Sequence, residues 1–212
     1  MGQSIGPPRG TSIPPEAAPP LGCFYGTGIA GSVDYFIKRF GPVAAHTAIA
    51  RLPRQYRAML QPHAPTLGIL GAKKYPYPFV GELMRAMAAA VHLEEDAFVR
   101  QVISAGMDHS LATVNRIALR YASSPASLAG RAQELWSMFH DSGRMTIVWK
   151  GDNEYVAELS EWPNHDVTVC KACVEARRRM LEHTNVADLE MRREKCVAWG
   201  HDLCATRVRW RP

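Results

Sequence analysis

The 212-residue chain is 47 % apolar and carries 25 Lys and Arg against 20 Asp and Glu, giving a formal net charge of +5 and a pI near 9.1. That length and apolar content suffice for a core that needs no covalent cross-links. From Arg144 onward, twelve basic residues are matched by eleven acidic ones. Such a balance excludes a dedicated nucleic-acid surface, which concentrates unpaired positive charge.

No run of about 18 apolar residues occurs, so no membrane span is expected. The N-terminus lacks a basic region followed by an apolar stretch and does not read as a signal peptide. Met1-Gly2 opens like a myristoylation site, but Ile5 and Gly6 do not complete the pattern. A cytoplasmic location is therefore expected, where the five cysteines stay reduced and are metal ligands or packing residues rather than disulfides.

Residues 1–23 read as a disordered Pro/Gly-rich tail, because Pro7, Pro8, Pro14, Pro15, Pro19 and Pro20 remove donors and few apolar side chains offset the ordering entropy. Gly26 to Gly31 superficially resembles a dinucleotide loop. No strand is predicted before it and no β-α-β unit surrounds it, so it reads as a flexible junction. Residues 31–142 follow a helical pattern. A helix with Val33, Phe36, Ile37 and Phe40 on its apolar face starts at the Ser32 cap and stops at Gly41-Pro42. A weaker helix covers 43–51, and 61–78 is rich in loops. A strong helix carries Phe79, Leu83, Met84, Met87 and Val91, and the next carries Phe98, Val99, Val102 and Ile103 and ends at Gly106. Leu111, Val114, Ile117 and Tyr121 mark another. Ser124-Pro125 then caps a helix through Leu128, Trp136 and Phe139.

The period changes at Met145. Met145, Ile147 and Trp149 alternate, Gly151-Asp152-Asn153 turns the chain, and Tyr155, Ala157 and Leu159 alternate back. Asp166 can cap a helix with Val169, Cys173, Ala176 and Met180 inward. A strand near 189–195 and a final one with Cys204, Thr206, Val208 and Trp210 on one face complete the chain. Helices first and an antiparallel β-β-α-β-β module over 143–212 make an α+β pattern, read as one domain over 24–212.

Four cysteines form Cys170-x2-Cys173 and, 22 residues later, Cys196-x7-Cys204. Zinc takes four soft ligands in a tetrahedron. A Cys-x2-Cys pair in a first helical turn can aim both sulfurs at one point, and the helix N-terminus favours thiolates. Cys196 and Cys204 flank a predicted hairpin turn. The set Cys170, Cys173, Cys196 and Cys204 is the candidate metal site, with Glu194 a nearby carboxylate. Packing is the competing reading, strongest for Cys173, which lies on its helix's own apolar stripe. Cys23 is assigned no role.

The stretch from Ser124 to Trp210 resembles the 4-vinyl-reductase-like domains and their bacterial paralogues of unknown function. The carrying features are Ser124-Pro125, Trp136 before Asp141-Ser142-Gly143, Trp162-Pro163, Cys170, and the closing Cys196-Val-Ala-Trp-Gly200-His-Asp-Leu-Cys204 followed by Trp210. Haem-nitric-oxide-binding domains and transport-particle (TRAPP) subunits share the broader fold. In the family an acidic residue often follows the closing glycine directly; here His201 does, with Asp202 after it. The resemblance implies a non-catalytic sensor with a small apolar or aromatic ligand between helices and sheet, zinc held by cysteines of this region, and a homodimer. Haem-binding relatives need a helical His and a Tyr-x-Ser-x-Arg motif. Tyr121-Ala-Ser123-Ser-Pro125 has proline in place of the arginine, and His92 and His109 read as surface histidines, so haem is not expected.

No Gly-x-Ser-x-Gly, P-loop or His-Glu-x-x-His occurs, and an enzyme is suggested only by the family's name. Arg177-Arg178-Arg179 reads as a solvated face, and Met84, Met87 and Met107 as core or pocket lining. The expected function is small-molecule sensing that acts on a separate, unidentified partner protein. The alternative is a ligand-free structural adaptor or scaffold, like the transport-particle subunits. A closed apolar pocket of several hundred Å³ favours the first and a filled core the second.

Overall fold

The computed structural model describes residues 22–113, 124–184 and 186–211, with the backbone alone at 109–113. Expectations for residues 1–21 of the tail, for Val114, Ile117 and Tyr121, and for the side chains of His109 and Leu111 lie outside the described residues, while Cys23, expected to end the disordered tail, is buried in a strand.

The chain opens with β1 (Cys23–Tyr25), which pairs antiparallel with β2 (Lys74–Pro76). A strand thus does precede the glycine-rich segment. That segment forms the first turns of α1 (Thr27–Arg51) rather than a loop. As the sequence predicts, the helix is interrupted at Gly41-Pro42, so α1 consists of two helical segments that meet at a kink. Gly41 adopts φ 83 and ψ 171, open to glycine at little cost, and Pro42 starts the continuing helical segment, where no donor is needed. α2 (Arg54–Arg57) and a 3₁₀ turn (Pro65–Gly68) lead to β2.

α3 (Tyr77–Ala90) buries Phe79, Val80, Leu83, Met84 and Met87, the spacing that marks it in the sequence. α4 (Glu95–Thr113) runs through Gly106, where the sequence suggests an end. This glycine serves helix packing: a Cβ there would lie 2.6 Å from Ser32 Oγ and 2.9 Å from Ser32 N of α1. Ser124 caps α5 (Pro125–Gly130), its Oγ accepting from Ser127 N at 3.2 Å. α6 (Ala132–Ser137) follows, so the single predicted helix is two short ones.

The C-terminal module comprises β3 (Arg144–Gly151), β4 (Glu154–Ser160), α7 (Val167–Glu182), β5 (Ala187–Lys195) and β6 (Cys204–Arg211). The strands form one antiparallel sheet in the order β3-β4-β6-β5. Cys204, Thr206, Val208 and Trp210 are buried, as alternation predicts, while Arg207 and Arg209 pair with Glu154 on the other face. α7 packs against α3 and α4, and a contiguous apolar cluster joins the helical half to the sheet. The architecture is α+β.

Asp166 sets the start of α7. Its Oδ1 accepts from Thr168 N at 2.9 Å and Val169 N at 3.1 Å, and its carboxylate receives Arg85 of α3 at 3.0 and 3.2 Å. Asp166→Ala removes the cap and takes from the half-buried Arg85 one of its two carboxylate partners, leaving Glu82 at 3.1 Å. It is expected to lower stability by about 2 kcal/mol, with Asp166→Asn restoring roughly half because it still caps. Urea unfolding checks both, and an unchanged midpoint for the alanine variant contradicts the assignment.

Candidate metal cluster and ligand cavity

His165 precedes α7, Cys170 lies in its first turn, Cys196 follows β5, and Cys204 opens β6. One ligand atom from each falls within 4.8 Å of all the others. Cys204 Sγ is 3.7 Å from Cys170 Sγ, 3.8 Å from Cys196 Sγ and 3.3 Å from His165 Nε2, and Cys196 Sγ is 3.7 Å from that same nitrogen. Zn–S bonds of about 2.3 Å and Zn–N bonds of about 2.0 Å at tetrahedral angles separate two sulfurs by ~3.8 Å and a sulfur from a nitrogen by ~3.6 Å. These four separations lie within about 0.3 Å of that geometry.

The local chemistry prepares the donors. Hydrogen bonds from Cys170 and His165 and from the Val197 N–H (3.4 Å) hold the Cys204 thiol well below its usual range. The same contact with Cys204, with burial, pushes Cys170 up, and burial also raises Cys196. One thiolate and two thiols around an imidazole share few protons in a small space. A divalent cation would replace those protons and satisfy all four donors.

Of the sequence-derived set, Cys170, Cys196 and Cys204 come together, and His165 stands with them. Cys173 lies elsewhere: its Sγ is 3.7 Å from His140 Nε2 and borders a cavity. Glu194 is engaged by Arg207 on the outer face of the sheet. The signal for His165 was present as His165-x4-Cys170 beside the Asp166 cap, but a reading confined to cysteine spacing passes over it. Cys23 is buried in β1, where burial raises its thiol.

The cavity, about 100 Å³, lies between the helices and the sheet. α1 and α4 contribute Ser32, Ile103 and Met107, α5 and α6 contribute Leu128 and Trp136, the hairpin contributes Met145 and Tyr155, and α7 contributes Cys173, Arg177 and Met180. It is smaller than the several hundred Å³ that marks a drug-sized site, yet the core is not filled. Met107 borders it, whereas Met84 and Met87 are fully buried core. Arg177, read from the sequence as part of a solvated face, also lines it.

A polar relay crosses one wall. Tyr77 Oη lies 3.1 Å from His140 Nδ1 and 3.4 Å from Ser142 Oγ, and His140 Nε2 meets Cys173. Trp136 stacks on His140 with centroids 3.4 Å apart and planes 2° apart, and its Nε1 donates to Ser142 O at 2.7 Å. Burial drives His140 well below its ordinary value, pushes Cys173 up to about 12, and raises Tyr77. All three are neutral at pH 7, and a neutral imidazole carries one donor and one acceptor, so the relay has a direction set by its tautomer.

No family model matches the chain, and no curated protein does. Solved structures are similar. An H-NOX protein from S. oneidensis in the Fe(II)NO ligation state aligns at 11 % identity over 89 % of this chain and 99 % of that one, with a TM-score of 0.67. The Fe(II) unliganded H-NOX protein from K. algicida aligns at 12 % over 89 % and 97 %, with a TM-score of 0.65. An oxygen-binding H-NOX domain related to soluble guanylate cyclases gives 7 %, 89 % and 95 %, and 0.62. The chain therefore has the haem-NO-binding fold.

These neighbours correct the expectation about cofactors. The sequence argument set haem aside on Pro125 and the histidines, but the fold is that of haem domains, so haem is the group the architecture implies. Proline at one motif position could not decide the matter, because fold likeness at this identity survives the loss of any single motif residue. Among the described residues the fit is incomplete. His140, the described histidine lining the cavity, has both ring nitrogens engaged and is stacked under Trp136. His92 is exposed.

The buried imidazole makes stability depend on pH. Its folded value is depressed below the unfolded one near 6.5, so the unfolded state binds the extra proton and stability is lost as pH falls below about 6.5. Unfolding free energy measured from pH 7.5 to 5 is expected to decline at up to ~1.4 kcal/mol per pH unit at its steepest, and His140→Gln to flatten that decline. A slope unchanged by the substitution contradicts a buried neutral His140.

Proposed function

We propose that residues 24–212 form one non-catalytic sensor domain that takes up a small apolar molecule between its helices and sheet and signals through a partner protein. The observation that carries this reading is the unfilled apolar cavity with a hydrogen-bonded relay in its wall. An adaptor that works only through its surface has no use for either feature. The likeness to H-NOX structures, among them one in the Fe(II)NO state and an oxygen-binding one, supports the same reading. So does the narrower resemblance to 4-vinyl-reductase-like domains through the closing Cys196 to Cys204 motif. A homodimer and a reducing, cytoplasmic setting belong to the proposal. None of the five cysteines is in a disulfide, and no described helix is long and apolar enough to cross a membrane.

His165, Cys170, Cys196 and Cys204 are proposed to hold one zinc ion that staples the β5–β6 turn to the start of α7. The donor set is soft, buried and tetrahedral in its spacings. The ion is structural, since four protein donors leave no open position for substrate.

Elemental analysis of the purified full chain is expected to give about one zinc per chain. His165→Ala, Cys196→Ser and Cys204→Ser should each lose it and melt at least ~5 °C lower, while Cys173→Ser keeps the ion. Folded, reduced protein without metal would leave these cysteines as packing residues. Titration with small aromatic and aliphatic ligands, followed by Trp fluorescence, tests the sensing reading separately. Failure of every ligand to alter Trp136 emission moves the assignment to the adaptor.

A further inference from the structure

Three consecutive arginines on α7 have different surroundings. Arg178 pairs with Glu175 at 3.5 Å, and Arg179 is held by Asp108 at 2.7 Å and Glu182 at 2.8 Å. Arg177 is half-buried and lines the cavity, and the contact its guanidinium makes is with Met145 Sδ at 3.3 Å. A thioether is a weak acceptor and offers no charge. Among the described residues no carboxylate lies within ion-pair distance of Arg177. The chain between Asp108 and Ser124 contains no Asp or Glu that could supply one.

An unpaired guanidinium beside an apolar cavity is a costly arrangement unless something neutralises it. Its planar fork matches a carboxylate in two parallel hydrogen bonds. The rest of the wall is apolar or neutral, because the Tyr77–His140–Cys173 relay carries no charge at pH 7. A single cation calls for a single negative charge, which favours a monocarboxylate over a phosphate or dicarboxylate. Cys173 stands one helical turn before Arg177, so the relay and the cation share one face of α7.

Resting on the sensor reading, we propose that the cavity takes a small apolar monocarboxylic acid, with its carboxylate on Arg177 and its hydrocarbon part among Ile103, Leu128, Trp136 and Met180. The volume of about 100 Å³ is below the roughly 150 Å³ that holds benzene. As it stands the cavity holds an acid smaller than benzene, and pentanoate or a small ring requires Met107, Met145 and Met180 to change rotamer, which flexible thioethers do readily.

The test uses the full chain at pH 7 with four probes: pentanoate and benzoate, and their neutral counterparts 1-pentanol and benzyl alcohol. Affinity is read by calorimetry and by Trp fluorescence. The acids are expected to bind at least tenfold more tightly than the matched alcohols. Arg177→Met should erase that margin while alcohol binding persists, which also shows that the variant is folded. Arg177→Gln should do the same, and Arg177→Lys should keep part of the margin. Alcohols that bind as well as the acids, or a margin intact in Arg177→Met and Arg177→Gln, overturn the proposal and leave the sensor reading standing. Binding of none of the four overturns the proposal together with the sensor reading beneath it.

Discussion

The carboxylate of Asp166 fixes the helix on which both candidate sites depend. It accepts two backbone donors of α7 and the Arg85 guanidinium, and Arg85 also donates to Thr168 Oγ1 at 2.7 Å and Glu82 at 3.1 Å. Glu95 of α4 accepts from Thr168 at 3.0 Å and from Lys171 at 2.9 Å. The start of α7 is thus tied to α3 and α4 by charge-assisted bonds in partly buried surroundings, where such bonds are stronger than at an exposed surface. Moving that start would break several of them together. The position of Cys170, one turn further on, is consequently settled by the helical half of the molecule, whereas Cys196 and Cys204 belong to the sheet. The cluster forms where the two halves meet.

The two polar groupings inside the apolar core answer the same demand in different ways. Buried polar atoms must be paired. In the wall of the cavity Tyr77, His140 and Cys173 pair with one another as neutral groups, and stacking on Trp136 covers the imidazole. At the head of α7 the pairing among three sulfurs and an imidazole forces one thiol down and another up. These four donors lie within 4.8 Å of one another, and a metal ion, as proposed, would take one lone pair from each. The first grouping is paired within itself; the second is a set of donors that one cation would satisfy.

Much of this could be read from the sequence, and the rest could not for identifiable reasons. The β3–β4 hairpin, the inward face of β6 and the Asp166 cap follow from local alternation and capping chemistry, which act over a few residues. Three of the four cluster donors follow from cysteine spacing. His165 does not, since cysteine spacing alone passes over a histidine that precedes Cys170 as His165-x4-Cys170. The break at Gly41 is legible because its backbone leaves helical geometry, whereas the expected stop at Gly106 fails: this glycine lies inside α4 and is needed where the helix crosses Ser32. Arg177 was read as solvated by analogy with Arg178 and Arg179, and only the placement of Asp108 and Glu175 separates the three. The implied cofactor was misjudged for a similar reason, since the fold is a property of the whole chain and the argument against haem used one motif.

Because Cys170 and Arg177 lie seven residues apart on one helix, about 10 Å along its axis, events at one end are not independent of the other. A zinc ion at the cluster would anchor the N-terminal turn of α7 to the β5–β6 turn. A carboxylate on Arg177 would draw the following turns toward the cavity. If the anchored helix is the form that presents Arg177 correctly, metal and ligand strengthen each other's binding by the same factor, as linkage requires. The β5–β6 turn places Trp199 at the surface, 51 % exposed, with Arg193 stacked 4.9 Å over its ring. This turn is where a change in the helix would become visible to a partner, since Cys196 and Cys204, which would hold the ion, also flank the turn.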